Sequence, residues 1–214
     1  MPRPSYRHET ELMREHGATR VCGIDEVGRG PWAGPVVAVA VMLDVALLPK
    51  KLARRLDDSK ALTREAREDI DASLRALFGA AVWAGFGEAS VAEIDEINIL
   101  QASFLAMRRA HDALPVAPEA ALVDGNKYPA LPCPGRAVIG GDALCFSIAA
   151  ASILAKVARD RTMRELAETH PGYGWHTNVG YGTAEHQSGL ARLGVTPHHR
   201  RSFAPVAKLL ATIS

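Results

Sequence analysis

The sequence predicts an α/β protein: a mixed sheet flanked by helices, with a helical extension at its C-terminal end. Three observations support this. Short runs rich in β-branched residues, such as "GPVVAVAVML" at 34–43, are bounded by Gly and Pro. Longer segments repeat apolar residues at intervals of three and four, the spacing of a buried helix face. The elements follow the order hairpin and strand, then helix, strand, strand, helix, which suits one sheet covered by helices. With 214 residues, 48% of them hydrophobic and 23% charged, the chain can bury one sizeable core. A single domain over 1–214 is expected, its core at about 18–169 and a loop and helical segment at about 170–214.

Taken in order, "MPRPSYRHETELMREHG" is a polar helix candidate without the apolar stretch of a signal peptide. "RVCGID" and "GPVVAVAVML" read as two strands of a central hairpin joined by a tight Gly-rich turn. "DDSKALTREAREDIDASLRALFG" opens on capping residues and closes on Gly79, so a helix is expected there, and "AAVWAGFGEA" is a third strand. "INILQASFLAMRRAHDAL", 97–114, forms an amphipathic helix with Arg108 and Arg109 outward. "PEAALVDGN" is a short apolar strand ending in Asp124, and a proline-rich loop leads to the strand candidate "RAVIG". From Asp142 to about Thr169 a long helix is expected, with Ala149, Ala150 and Ala151 close against the sheet. The segment from His170 onward mixes loop and helix and holds five of the eight histidines.

Lys and Arg number 25 against 24 Asp and Glu, a net charge of +1, so attraction to a polyanion must come from local cationic clusters. Cys22, Cys133 and Cys145 have no paired spacing, which argues against a disulfide framework or a zinc site and fits a reducing, cytoplasmic setting. The most apolar run, 36–43, stops at Asp44 and is too short to span a bilayer, so no membrane association is expected. No extended apolar repeat suggests assembly, and a monomer is the expectation.

The acids carry the chemistry. Asp25 and Glu26 end the first strand, Asp124 the fourth, and Asp142 precedes the long helix; each stands beside or near glycine. Singly, each has a plain structural reading: two solvated acids at a strand end, an Asp-Gly hairpin turn, and a helix N-cap. Period-two geometry sends Asp25 and Glu26 to opposite faces, so one shared site requires the strand to end or bend there. Together, four carboxylates from distant positions form the kind of convergence that metal sites need, because like charges side by side raise one another's pKa. With no Cys or His spaced among them, a hard cation is indicated, Mg²⁺ or Mn²⁺. Two such ions roughly 4 Å apart suit phosphodiester cleavage.

Those residues sit in motifs. In order, "GIDEVGRGPWAGPVVAVAV", "DDSKALT", "VDGN", "GDALCFSIAAASILAKVARDR", "GYGTAEH" and "HRRSF" resemble the motifs of the ribonuclease HII family, from about residue 20 to 206. The resemblance implies a ribonuclease H-like fold and hydrolysis of the RNA strand of RNA/DNA hybrids. It also implies incision 5′ to single ribonucleotides embedded in duplex DNA, leaving 3′-hydroxyl and 5′-phosphate ends, as in ribonucleotide excision repair. It implies that Asp25, Glu26, Asp124 and Asp142 hold two metal ions. Gly28, Arg29 and Gly30 match the loop that reads the ribonucleotide 2′-hydroxyl, and Tyr181 the ring that stacks on the following deoxyribose. Ser59, Lys60, Lys156, Arg200 and Arg201 match phosphate contacts. Asp142 as the fourth acid, and the short N-terminal segment, separate the chain from the related ribonuclease HIII, which has Glu there and an extra N-terminal domain. Ribonuclease HIII-like activity on long hybrids only and a silent nucleic-acid-binding domain are the alternatives. Val179 stands where many family members have Lys. No terminal segment reads as a peptide motif for a replication or repair partner.

Overall fold

The computed structural model describes residues 3–56 and 62–213. Five strands form one sheet in the order β3-β2-β1-β4-β5. They are β1 (Val21–Val27), β2 (Val36–Leu43), β3 (Val82–Ala89), β4 (Ala120–Asp124) and β5 (Gly135–Val138). β1 pairs antiparallel with β2 and β2 with β3, whereas β1 and β4, and β4 and β5, run parallel. The expected mixed sheet flanked by helices is therefore present. Among the described residues no helix is long and apolar enough to cross a membrane.

β1 and β2 are buried along nearly their whole length because helices cover both faces. One face, with Cys22, Ile24, Ala38 and Ala40, packs against Ala102, Ala106 and Ala110 of α4 (Val91–Asp112). The other, with Val39 and Val41, meets Ala149, Ala150, Ala151, Ile153 and Leu154 of α5 (Phe146–Thr169) and Ile70 and Leu74 of α3 (Arg64–Arg75). α1 (Arg7–His16) closes the β4 side. The short α2 spans Lys50–Ala53. Near the C-terminal end, α6 (Trp175–Asn178), α7 (Ala184–Leu193) and α8 (Ala204–Ile213) gather around Tyr173, Trp175, Leu190 and Val206, which pack on Ala33 and Met163.

Four expectations change. The β1–β2 connection is an eight-residue loop, 28–35, rather than a tight turn. β4 and β5 are parallel, so Asp124-Gly125 makes no hairpin; the aspartate is the last residue of a parallel strand. α4 starts at Val91, six residues before Ile97, because Ser90 and Glu93 form a reciprocal capping box, and Asn98 at φ 66° kinks it. α5 starts at Phe146, not Asp142, which lies in a 3₁₀ turn at Gly141–Ala143. The cap expected from Asp142 comes from Glu9 of α1, whose carboxylate accepts the Ser147 backbone N–H at 2.9 Å and the Ser147 hydroxyl at 2.6 Å.

Candidate active site

β1 and β4 run side by side with Ile24 level with Val123, so Asp25 and Asp124 stand together at one edge of the sheet. This is where open α/β sheets place their sites. A cleft of about 510 Å³ opens there, lined among others by Asp25, Glu26, Gly28, Arg29, Gly30, Asp124, Lys156 and Tyr181. A second cleft of about 450 Å³, between Tyr6, Met42, Trp83 and Val116, lies at the opposite end of the sheet, away from the four acids.

Asp25 and Glu26 occupy consecutive positions of β1 and do diverge: Asp25 is turned toward Ser152 of α5, and Glu26 also lines a groove with Ser103, Phe104 and Met107 of α4. The strand neither ends nor bends between them, contrary to the expectation: β1 stays paired with β2 through both residues to Val27, and the two acids nonetheless line one cleft. Asp25 Oδ1 accepts the Glu26 backbone N–H at 2.7 Å, and Glu26 pairs with Arg29 at 3.2 Å. Asp124 Oδ1 accepts the Gly141 N–H at 2.7 Å, which ties the end of β4 to the turn that carries Asp142. Asp142 is buried and its charge reaches Asp25.

Burial pushes the Asp25 carboxyl well above the usual carboxylate range, and Glu26, Asp124 and Asp142 add repulsion, against one hydrogen bond from Ser152. Burial also raises Glu26, with Arg29 opposing it. So much negative charge in one place calls for a cation. Among the described residues no three Asp, Glu, His or Cys side chains stand grouped closely enough to hold a metal ion as they are placed here. Asp25 and Asp124 each give an oxygen to a backbone N–H and Glu26 one to Arg29, and each carboxylate keeps further lone pairs. All four donors are hard oxygens, and the set fits a hard divalent ion.

The 28–35 loop reaches the cleft by a route glycine permits. Gly28 has φ +102°, and a Cβ there would stand 2.1 Å from Arg159 Nε. Gly30 needs no special φ; a Cβ there would meet the Tyr181 ring at 3.3 Å, so loop and ring are immediate neighbours. Arg29 is half exposed beside Glu26. Tyr181 is held from behind: its carbonyl accepts His186 Nδ1–H at 3.0 Å, which leaves His186 Nε2 to accept from Trp175 Nε1 and from His199 Nε2, each at 3.1 Å. His199 Nδ1 then accepts the Thr196 N–H at 3.0 Å.

The expected phosphate contacts divide. Lys156 lines the cleft and pairs with Asp160 at 2.7 Å, and Arg201 is exposed. Ser59 and Lys60 lie outside the described residues. Arg200 corrects the expectation: it is fully buried, its guanidinium donating to backbone carbonyls of the 28–35 loop, so it supports the loop and does not face a phosphate. Arg159, also fully buried, and His186 had no assigned role in the sequence. The signal for Arg159 was present, a cation on the otherwise apolar inner face of α5.

The ribonuclease HII family model matches residues 22–206, the span that contains every one of these groups. The chain belongs to the ribonuclease HII family. It is thereby a ribonuclease H hydrolase, of the class that acts on RNA/DNA hybrids. It is 64% identical over 190 residues to ribonuclease HII of Paramagnetospirillum magneticum, covering 89% of this chain and 92% of the relative. Its fold matches ribonuclease H2 of Pyrococcus horikoshii with a TM-score of 0.75 at 26% identity, over 91% of this chain and 98% of that one. Bst-RNase HIII in complex with Mn²⁺ shares the fold at a TM-score of 0.70 and 22% identity, over 93% of this chain and 71% of that one. The family's ribonuclease H-like architecture is the five-stranded sheet described above.

Proposed function

We propose that this ribonuclease HII family member is a divalent-metal-dependent endoribonuclease that also incises DNA 5′ to a single embedded ribonucleotide, leaving 3′-hydroxyl and 5′-phosphate ends. The observation that carries this reading is the single cleft in which Asp25, Glu26 and Asp124 stand beside the Gly28–Gly30 loop and Tyr181. Asp25, Glu26, Asp124 and Asp142 would hold two Mg²⁺ or Mn²⁺ ions. Bound there, the metal supplies an activated water and charge stabilisation at the leaving oxygen. With no side chain at Gly28 or Gly30, backbone groups there would be able to come close to a sugar and read a 2′-hydroxyl, and the Tyr181 ring next to Gly30 would offer a stacking face for the following deoxyribose. A monomer in the cytoplasm completes the reading.

The test is a DNA duplex carrying one ribonucleotide, incubated with Mg²⁺ or Mn²⁺, with chelator and Asp124→Asn as controls. The expected result is a metal-dependent nick immediately 5′ to the ribonucleotide, abolished in Asp124→Asn while binding of hybrid persists. An intact duplex beside a cleaved long hybrid would reduce the reading to long-hybrid activity. A fully active Asp124→Asn enzyme would refute the site.

A further inference from the structure

Arg159 and Arg200 are both fully buried, and neither forms an ion pair among the described residues. Each instead donates to carbonyl oxygens. Arg200 reaches Gly34 O through Nε at 3.0 Å and through a terminal nitrogen at 2.8 Å, Arg29 O at 3.0 Å, Pro35 O at 3.2 Å, and Gly28 O. Arg159 donates to Pro35 O at 2.9 Å, and to Ala33 O and Val179 O, each at 3.0 Å. Both forks thus grip the 28–35 loop, and Arg159 joins it to the segment that carries Tyr181. Backbone bonds run alongside: Trp32 N–H to Gly180 O at 2.8 Å and Arg200 N–H to Trp32 O at 2.8 Å. Burial pushes the Arg200 guanidinium down to about 9, with Arg159 adding repulsion. A cation kept in such surroundings is there for its geometry: five donors in a rigid plane, which lysine lacks.

We propose that Arg159 and Arg200 are positioning residues that set selectivity for a ribonucleotide bordered by DNA, by fixing the Gly28–Arg29–Gly30 loop against Tyr181. This rests on the functional reading above. Neither arginine touches the four acids; Asp25 and Asp124 are placed by the β1–β4 pairing, the Gly141 N–H and Ser152, and Glu26 alone among the acids also pairs with the loop, through Arg29. Loosening either fork therefore leaves Asp25 and Asp124 in place and lets the loop drift relative to the ring. A long hybrid offers a ribonucleotide at every step, so some register still meets a displaced loop. A lone ribonucleotide offers one register.

The test compares kcat/KM of the wild type, Arg200→Lys and Arg159→Lys on a duplex with one embedded ribonucleotide and on a long hybrid, with thermal melting to confirm folding. Activity on the embedded ribonucleotide should fall at least tenfold more than activity on the long hybrid, a divergence that general loss of stability does not produce. If Arg200→Lys melts below the assay temperature, Arg159→Lys, which leaves the Arg200 side chain itself unaltered, decides. Folded variants that keep the wild-type ratio between the two substrates overturn the inference alone. A wild type that leaves the embedded ribonucleotide intact overturns the functional reading and the inference with it.

Discussion

Acid should destabilise the protein through one buried ring. His199 is 1% exposed, between His186, Tyr173 and Trp175, and burial together with His186 and His198 lowers its pKa from 6.5 to about 4. Its Nδ1 already accepts the Thr196 N–H, so a proton there breaks a bond as well as burying a charge. The unfolded chain takes up that proton near pH 6.5 and the folded chain only near 4. The stability is thus fully present above pH 6.5, lost as pH falls through that window, and not reduced further by this group below it. At about 1.4 kcal/mol per pH unit the loss amounts to roughly 3 kcal/mol. For a chain of this size that lowers Tm by about 6–12 °C. The assay is a series of melts from pH 7.5 to 4.5 on the wild type and His199→Gln. Substitution costs some stability at every pH, so the informative quantity is the slope. Glu93, held at about 2 chiefly by Arg109, loses its contribution only below the window and does not confuse it. His186 and His198, also lowered by burial, leave a residual slope in the variant. Parallel curves for the two proteins would refute the assignment.

Gly28→Ala should destabilise by about 2 kcal/mol, because φ +102° strains an L residue and the new Cβ meets Arg159; an unchanged Tm would count against the loop conformation. Tyr181→Ala should leave stability within about 0.5 kcal/mol, since the ring is 48% exposed, yet slow incision at an embedded ribonucleotide by about 10–100-fold. Parallel melting and single-turnover measurements separate the two effects, and equal rates would dismiss the stacking role. Val179→Lys adds a cation to a groove lined by Arg64, Arg67, Lys156, Arg164 and His176, with Asp160 opposing. Hybrid binding should tighten at low salt and its log–log salt slope steepen by about 0.9; an unchanged slope would mean the side chain does not reach the substrate.

Much of the fold was legible because β-branched runs and helical spacing are local signals. All five strands and the long helices follow them. What the sequence hid was long-range. The Asp124-Gly125 pair has the local chemistry of a hairpin turn, and only the parallel pairing of β4 with β5 removes that reading. The cap of α5 comes from Glu9, 138 residues before Ser147, so the nearby Asp142 was a misleading candidate. The four acids were found as candidates by their positions at element ends, whereas their convergence depends on strand order. Arg200 sits next to Arg201 in a basic pair that suggests a surface patch, yet the first is fully buried against the 28–35 loop and the second is exposed. Adjacent identical letters carry no sign of which way each side chain turns.

The span between Arg200 and the carbonyls it holds has a consequence for biosynthesis. The guanidinium bonds to Gly28 and Gly34 join positions 172 and 166 residues apart. A nascent chain leaving the ribosome can pair β1 with β2 and later β4, gathering its acids, well before residue 200 emerges. Through that interval the 28–35 loop has the Arg159 bonds to Ala33 and Pro35 but lacks every Arg200 bond, so its support is completed after the acids are in place. On the functional reading proposed above, selectivity would therefore be acquired later in synthesis than the metal-holding acids, once residue 200 has docked on the loop.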